Sequence, residues 1–196
     1  MSNPFDYITE FESALASYTG ARYAVMTDCC THALELAFRA TEVTSTEFTP
    51  YTYISIPMML MKLGVRFEYN DVESWNGMYY FQYTNIWDSA RALYPEMYKP
   101  GQIMCLSFGH GKPLEIGRGG AILLDDYVLY KQLKLMCYDG RDLSITPWEE
   151  QKEFKLGYHY KPNPEEALLG LEKLGQHDAQ PKYKQYPDLR TITINV

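Results

Sequence analysis

The stretch Ile103-Met104-Cys105-Leu106-Ser107-Phe108-Gly109-His110-Gly111-Lys112, running on through Gly117-Arg118-Gly119-Gly120 to Ala121-Ile122-Leu123-Leu124, decides the fold. Residues 103–108 are apolar or small and read as a buried strand. Glycines at 109, 111, 117, 119 and 120 make 109–120 a loop, and 121–124 reads as a second strand. Outward in both directions the same grammar repeats. Ile8, Phe11, Leu15 and Tyr18 recur at helical spacing, with Asp6 as the expected N-cap and Gly20 as the stop. Residues 22–27 read as a strand, and 31–40 as a helix with Leu34, Ala37 and Phe38 on one face. A strand at 47–49, a helix at 55–63 that takes Pro57 in its first turn, and a strand at 65–69 follow. Residues 70–80 are turn-rich, 82–87 read as a strand, and a helix-like turn starts at Asp88. Beyond the glycine loop, helices are expected at 126–137 and 165–174, with irregular chain at 138–164 and a candidate strand at 191–196. Strands alternating with helices predict an α/β protein, a three-layer α/β/α arrangement with a mainly parallel sheet.

Composition narrows the function classes. The 196 residues are 46% hydrophobic and 22% charged, an ordinary globular mix for one sizeable core. Eighteen Lys and Arg against 25 Asp and Glu give a net charge of −7, which argues against a nucleic-acid partner because phosphate contacts need clustered cations. The longest apolar run, 56–61, falls far short of the ~18–20 residues that span a bilayer, and MSNPFDYITE does not read as a signal peptide, so no membrane association is expected. Cys29, Cys30, Cys105 and Cys137 show no C-x-x-C spacing, so neither a metal site nor a disulfide framework is expected and a reducing cytoplasm fits best. The 18 tyrosines and nine methionines are unusual, and are compatible with a surface that a partner covers.

Four positions offer chemistry. Lys112, flanked by glycines after a buried strand, is open to a ligand, although such lysines are more often simply solvated. A P-loop is excluded, since Leu106 stands where its first glycine belongs and Pro113 where Ser or Thr is required. Asp88, ending the 82–87 strand, either caps the next turn or is a carboxylate at the sheet edge where α/β proteins bind ligands. Thr31 either starts a helix or lends its amide to a phosphate. Tyr53 is either core or a ring at a site.

The order of these residues resembles the DegT-like sugar aminotransferases, pyridoxal-phosphate (PLP) enzymes of fold type I. The family's Ser-Gly-Thr-x-Ala-Leu is matched by Cys29-Cys30-Thr31-His32-Ala33-Leu34, and its Pro…Phe-Thr-Phe by Pro50-Tyr51-Thr52-Tyr53. Glu-Asp-x-Ala-x-Ala is matched by Trp87-Asp88-Ser89-Ala90-Arg91-Ala92. Ser-Phe-x-x-x-Lys and Gly-x-Gly-Gly stand intact at Ser107 to Lys112 and Gly117 to Gly120, and Gly-Tyr-Asn-Tyr-Arg becomes Gly157-Tyr158-His159-Tyr160-Lys161. The match covers about residues 8–174.

The resemblance implies the large domain of a fold type I PLP transferase over residues 1–174. It leaves 175–196 as a short C-terminal tail, with the family's small domain absent. It implies a Schiff base on Lys112, which then serves as general base and acid, and Asp88 at the pyridine nitrogen. Tyr53 would lie against the ring, Arg91 near the ring oxygen, and the phosphate on the Cys30 and Thr31 amides with the Ser107 hydroxyl. His159 would reach the phosphate of a neighbouring subunit, implying a homodimer with shared active sites. The implied reaction moves an amino group from an amino acid, glutamate or glutamine, to a keto-sugar nucleotide. The family's dehydratase branch replaces the lysine that is kept here. Alternatives are a PLP-binding homologue with reduced or regulatory function, and a non-enzymatic α/β interaction module. Departures from the pattern are Cys30 for glycine, Arg91 for Gln or His, Arg118 for an acid, His159 for Asn, Lys161 for Arg, and a shortened span between Asp71 and Asp88.

Overall fold

The computed structural model describes residues 5–71, 77–177, 180–182 and 184–195. Five α-helices and seven strands occur among them: α1 Asp6–Thr19, β1 Tyr23–Thr27, α2 Cys30–Ala40, β2 Ser45–Phe48, α3 Ser55–Leu63, β3 Arg66–Tyr69, β4 Tyr79–Tyr80, β5 Ile86–Asp88, β6 Ile103–Ser107, β7 Gly120–Leu124, α4 Tyr127–Cys137 and α5 Pro164–Leu174. The helices expected from sequence all form within a residue or two of their expected bounds. Asp6 is not the N-cap: Phe5 takes that position without a side-chain bond, and Asp6 sits in the first turn, where a negative charge suits the helix dipole. Gly20 does stop α1, at φ 77°. The expected strand at 82–87 shrinks to β5 because Tyr83 turns the chain at φ 64° and the Thr84 amide closes on the Phe81 carbonyl.

The three layers are written in the alternation of the central strands. Val25, Ile103, Cys105, Ile122 and Leu124 face one side, with Leu34, Ala37 and Phe38 of α2 and Leu133 of α4. Their neighbours Ala24, Met26, Met104, Leu106, Ala121 and Leu123 face the other, with Phe11 and Leu15 of α1 and Ala167 and Leu174 of α5. A strand buried on both faces loses the polar half of the usual alternation, which is why these segments read as apolar runs.

The sheet corrects the expectation of a mainly parallel one. Its order is β1-β7-β6-β5-β4, and only β5 and β6 run parallel; β1–β7, β7–β6 and β5–β4 are antiparallel. The reason lies in the connections. A parallel neighbour needs a crossover, but β6 reaches β7 through the glycine loop with no helix in it, so the chain reverses. The one connection that does carry a helix between adjacent strands, β2–α3–β3, yields a parallel pair, and it stands apart as a two-stranded sheet.

The strand expected at 191–196 is absent among the described residues. A 3-10 turn, Leu189–Thr191, stands there, because the Asp188 carboxylate accepts from the Arg190 amide (2.9 Å) and the Thr191 hydroxyl donates to the Asp188 carbonyl (2.7 Å). Position 196 and the turn-rich residues 72–76 lie outside the described residues. No helix is long and apolar enough to cross a membrane, among the residues described.

The start of α2 is tied down by a polar cluster. His32 Nδ1 meets the Asp28 carboxylate at 2.6 Å, Arg118 reaches the other oxygen of Asp28 at 2.8 Å, and the His32 ring stacks on Tyr160 with centroids 3.7 Å apart. Asp28, Cys29 and His32 offer ligand atoms within 4.8 Å of one another, but Asp28 is engaged by His32 and Arg118. Burial opposes the imidazolium, yet the hydrogen bonds to Asp28 and Cys29 outweigh it and push His32 up to about 9. A histidine raised in the folded state stabilises in full below its ordinary value near 6.5, and that contribution is lost as pH rises through about 9. His32→Gln should therefore lower the melting temperature at pH 6, with the deficit against wild type shrinking to little above pH 9, as read by thermal melts across that range.

Candidate functional site

One cavity of about 810 Å³ opens at the C-terminal ends of β5 and β6, and the sequence motifs converge on it. Cys30, Thr31, Tyr53, Asp88, Arg91, Ser107 and Lys112 all line it. They come from four separate stretches of chain, 30–31, 53, 88–91 and 107–112, each placed by a different local rule.

Two helices point their N-termini into the cavity. Cys29 precedes α2 in extended conformation and Ile54 precedes α3, and neither helix has a side-chain cap; in α3 the Ile56 amide is taken by the Tyr53 carbonyl (3.0 Å) and Pro57 has none, so the amides left for another acceptor are chiefly those at the start of α2. Thr31 Oγ1 and Ser55 Oγ, near the starts of the two helices, lie 2.9 Å apart and lock the pair together. Uncapped helix starts with adjacent hydroxyls suit an anion. Cys30, where the resemblance expects glycine, is not in a left-handed conformation; it begins α2 as an ordinary helical residue, and its thiol lies buried 3.8 Å from the Cys105 carbonyl. The close approach that a glycine must permit falls instead at Gly120. A Cβ there would stand 2.5 Å from both the Cys29 carbonyl carbon and the Cys30 nitrogen.

Asp88 forms the floor. It is 5% exposed; its Oδ1 accepts from the Ala90 amide and its Oδ2 from the Tyr79 hydroxyl, each at 2.9 Å. Burial raises its pKa, opposed by those two hydrogen bonds and by the charges of Lys112 and Arg91. The bonds leave lone pairs for a donor within the cavity.

Lys112 rides on the loop between β6 and β7. Buried Phe108, Leu114 and Ile116 anchor the loop, and the Ile116 amide closes its base on the Phe108 carbonyl at 3.0 Å. Glu115 braces the loop by taking the Gly111 amide (2.8 Å) and pairing with His110. The Lys112 amide bonds to the Gly109 carbonyl, and its side chain has no hydrogen bond or ion pair with any described residue. Arg91 holds the same loop, donating from Nη1 to the Gly111 carbonyl at 2.9 Å, while its buried Nε has no partner. An orphaned guanidinium donor, a buried carboxylate with spare capacity, an unengaged amine and an anion cup together fit a phosphate-bearing group that also has a ring nitrogen and a carbonyl.

Two expected residues sit differently. Tyr53 is on the cavity rim, 57% exposed. His159 lies outside this cavity, in a second one of about 450 Å³ with Arg118, Lys161 and Asn163, where its Nδ1 bonds Asp139 at 2.9 Å.

Sequence reasoning missed Ser55, Thr52, Tyr79 and the C-terminal segment. Ser55 carried a signal, as the first residue of an expected helix. The C-terminal segment crosses the cavity, bringing Lys182, Lys184 and Tyr186 to its lining. It is pinned by the Lys182 amide on the Arg91 carbonyl (3.0 Å) and the Leu189 amide on the Pro50 carbonyl (3.1 Å). Nothing in an irregular polar tail announces that path.

The contact at Gly120 makes a sharp prediction. Gly120→Ala should force β7 away from the start of α2, cost about 1–3 kcal/mol as overpacking does, and weaken phosphate binding in the cup. Denaturant melts and phosphate titration check both effects.

Comparison with known proteins agrees with this picture. Among solved structures, a sugar aminotransferase from Micromonospora echinospora superposes with a TM-score of 0.70 at 19% identity, covering 87% of this chain and 60% of its own. A 3-amino-5-hydroxybenzoic acid synthase gives 0.69 at 20% identity, covering 87% and 56%. The Helicobacter pylori aminotransferase involved in pseudoaminic acid biosynthesis gives 0.68 at 15%, covering 87% and 57%. The chain thus spans somewhat over half the length of these relatives, and identities this low establish the shared fold. No curated protein matches the sequence. The model of the DegT/DnrJ/EryC1/StrS aminotransferase family matches residues 1–79 and 86–186, nearly the whole chain, and the protein belongs to that family.

Proposed function

We propose that the protein is a PLP-dependent aminotransferase that moves an amino group from glutamate or glutamine to a keto-sugar nucleotide. The observation that carries this reading is the convergence of Lys112, Asp88, Arg91 and two uncapped helix starts on one cavity. PLP supplies an aldehyde and a ring that accepts an electron pair. Everything else falls to the chain.

The amides of Cys30 and Thr31, with the Thr31, Ser55 and Ser107 hydroxyls, hold the phosphate. Asp88 accepts the proton-bearing ring nitrogen, and the buried Nε of Arg91 donates to the ring oxygen. Tyr53 covers the ring from the rim. Lys112 Nζ, which no described side chain engages, would be the amine that holds the cofactor's aldehyde carbon until the donor amine takes its place. With the cofactor held there, the released Lys112 amine would be the base that takes the proton from the donor Cα and the acid that gives it back on the cofactor side of the shared nitrogen. Arg91, Lys182 and Lys184 line the same cavity and put cations near an acceptor that carries phosphates. His159, in its separate cavity beside Arg118 and Lys161, is assigned to the phosphate of a second copy, which makes the working unit a homodimer. Residues 1–174 are the cofactor-binding core in this reading, and the segment from 175 onward is its cover.

Protein mixed with PLP should turn yellow, and Lys112→Ala should abolish the visible band while the fold survives in circular dichroism. Glutamate or glutamine should then discharge the wild-type band. A wild-type protein that stays colourless with PLP would sink the proposal; one that colours but ignores amino donors would be a PLP-binding protein without the transfer.

A further inference from the structure

Tyr79 belongs to no motif, yet the register places it beside the floor of the cavity. β4 and β5 pair antiparallel with Tyr79 directly opposite Asp88, so the two side chains stand on the same face. The Tyr79 hydroxyl donates to Asp88 Oδ2 at 2.9 Å, and Thr52 Oγ1 lies 2.9 Å from the same hydroxyl. Proton counting sets the direction. A phenol has one hydrogen, and Tyr79 spends it on Asp88, so Thr52 must be the donor to Tyr79. All three side chains are buried: Thr52 at 3%, Tyr79 at 6% and Asp88 at 5% exposure.

We propose that Tyr79 is a positioning residue which, backed by Thr52, fixes the Asp88 carboxylate as a one-way acceptor and leaves its remaining lone pairs for a donor in the cavity. The inference rests on the PLP reading for the identity of that donor, the protonated ring nitrogen.

The surroundings of Asp88 support this division of labour. Cys30 from α2, Cys105 from β6, Tyr79 from β4, and Lys112 and Arg91 from the loops are the titratable and charged groups whose electrostatics couple to it. Burial pushes both thiols and the Tyr79 phenol well up, and the Asp88 charge pushes them further, so they stay neutral. Only Lys112 and Arg91 bring positive charge to the carboxylate, and neither forms a hydrogen bond to it that would set its orientation. Orientation is left to two fixed donors, the Ala90 amide on Oδ1 and the Tyr79 hydroxyl on Oδ2.

Tyr79→Phe is a clean probe, because the ring packs with Phe48 and Phe81 at centroid distances of 6.5 and 5.4 Å and keeps those contacts without the hydroxyl. In cofactor-free protein, carbon NMR of aspartate carboxyls, with Asp88→Asn to assign the resonance, should show the Asp88 midpoint moving upward in Tyr79→Phe. PLP affinity by absorbance should then be weaker in Tyr79→Phe than in wild type by roughly tenfold or more, as loss of a hydrogen bond to a charged group predicts. Thr52→Val should move both readings the same way by less. It also serves as the second probe if Tyr79→Phe folds poorly. An Asp88 midpoint unmoved in a folded Tyr79→Phe, or in Thr52→Val alone, overturns the proposal. Failure of the wild type to bind PLP would overturn the cofactor reading alone, since the titration of the cofactor-free protein still decides whether Tyr79 governs Asp88.

Discussion

The contact on which the site depends is backbone against backbone: the α-carbon of Gly120 lies against the peptide joining Cys29 to Cys30, with no room for a methyl group between them. It joins the first residue of β7 to the first turn of α2. β7 is the strand between β1 and β6, so whatever it touches is fixed relative to the whole sheet. The helix start is thereby held at a set height above the ends of β5 and β6, where Asp88 and Ser107 emerge. The Thr31–Ser55 hydrogen bond passes that position on to α3. A chemical site assembled from separate stretches of chain needs one rigid reference, and this contact supplies it.

Around that reference the charges are sorted by burial. The chain is acidic overall, yet the cavity collects Arg91, Lys112, Lys182 and Lys184 around a single buried carboxylate. The other buried acids are spent elsewhere. Glu12 is neutralised by Lys134 (2.9 Å) and the Met26 amide (2.8 Å), where it ties α1 to α4 and β1. Glu35 is held by Arg39, Lys62 and the Tyr160 hydroxyl, and burial, which works against its charge, is overcome by those bonds. Satisfied pairs of this kind contribute order rather than reactivity. Asp88 differs because its nearest cations leave it without a direct ion pair.

Much of this was legible in sequence, and the limits are physical. Buried strands and amphipathic helices declare themselves through periodicity, so β1, α2, α3, β6, β7, α4 and α5 were readable from their apolar positions. Strand direction was not, because it depends on whether a connection holds a helix or a hairpin-like loop, and the 109–119 loop was already visibly helix-free. The motif residues at 30, 31, 53, 88, 91, 107 and 112 were picked out by their order along the chain, which resembles the family's, and all seven line one cavity. Tyr79 and Thr52 were missed because their importance is a matter of register across two short strands. Lys182 and Lys184 were missed because an extended segment held by two backbone bonds leaves no pattern in side-chain polarity.

The order of strands also constrains how the chain reaches this form. β1, from the first part of the sequence, finds its only strand partner in β7, and α1 packs on α5 so closely that Gly170 has Phe11 where a Cβ would go. The strand pairing of β1 and the packing of α1 on α5 are therefore completed only by elements distant in sequence. Such long-range closure slows folding and leaves apolar edges bare in the interval. Partly folded chain is thus open to chaperones, or to a second copy, until that closure is made.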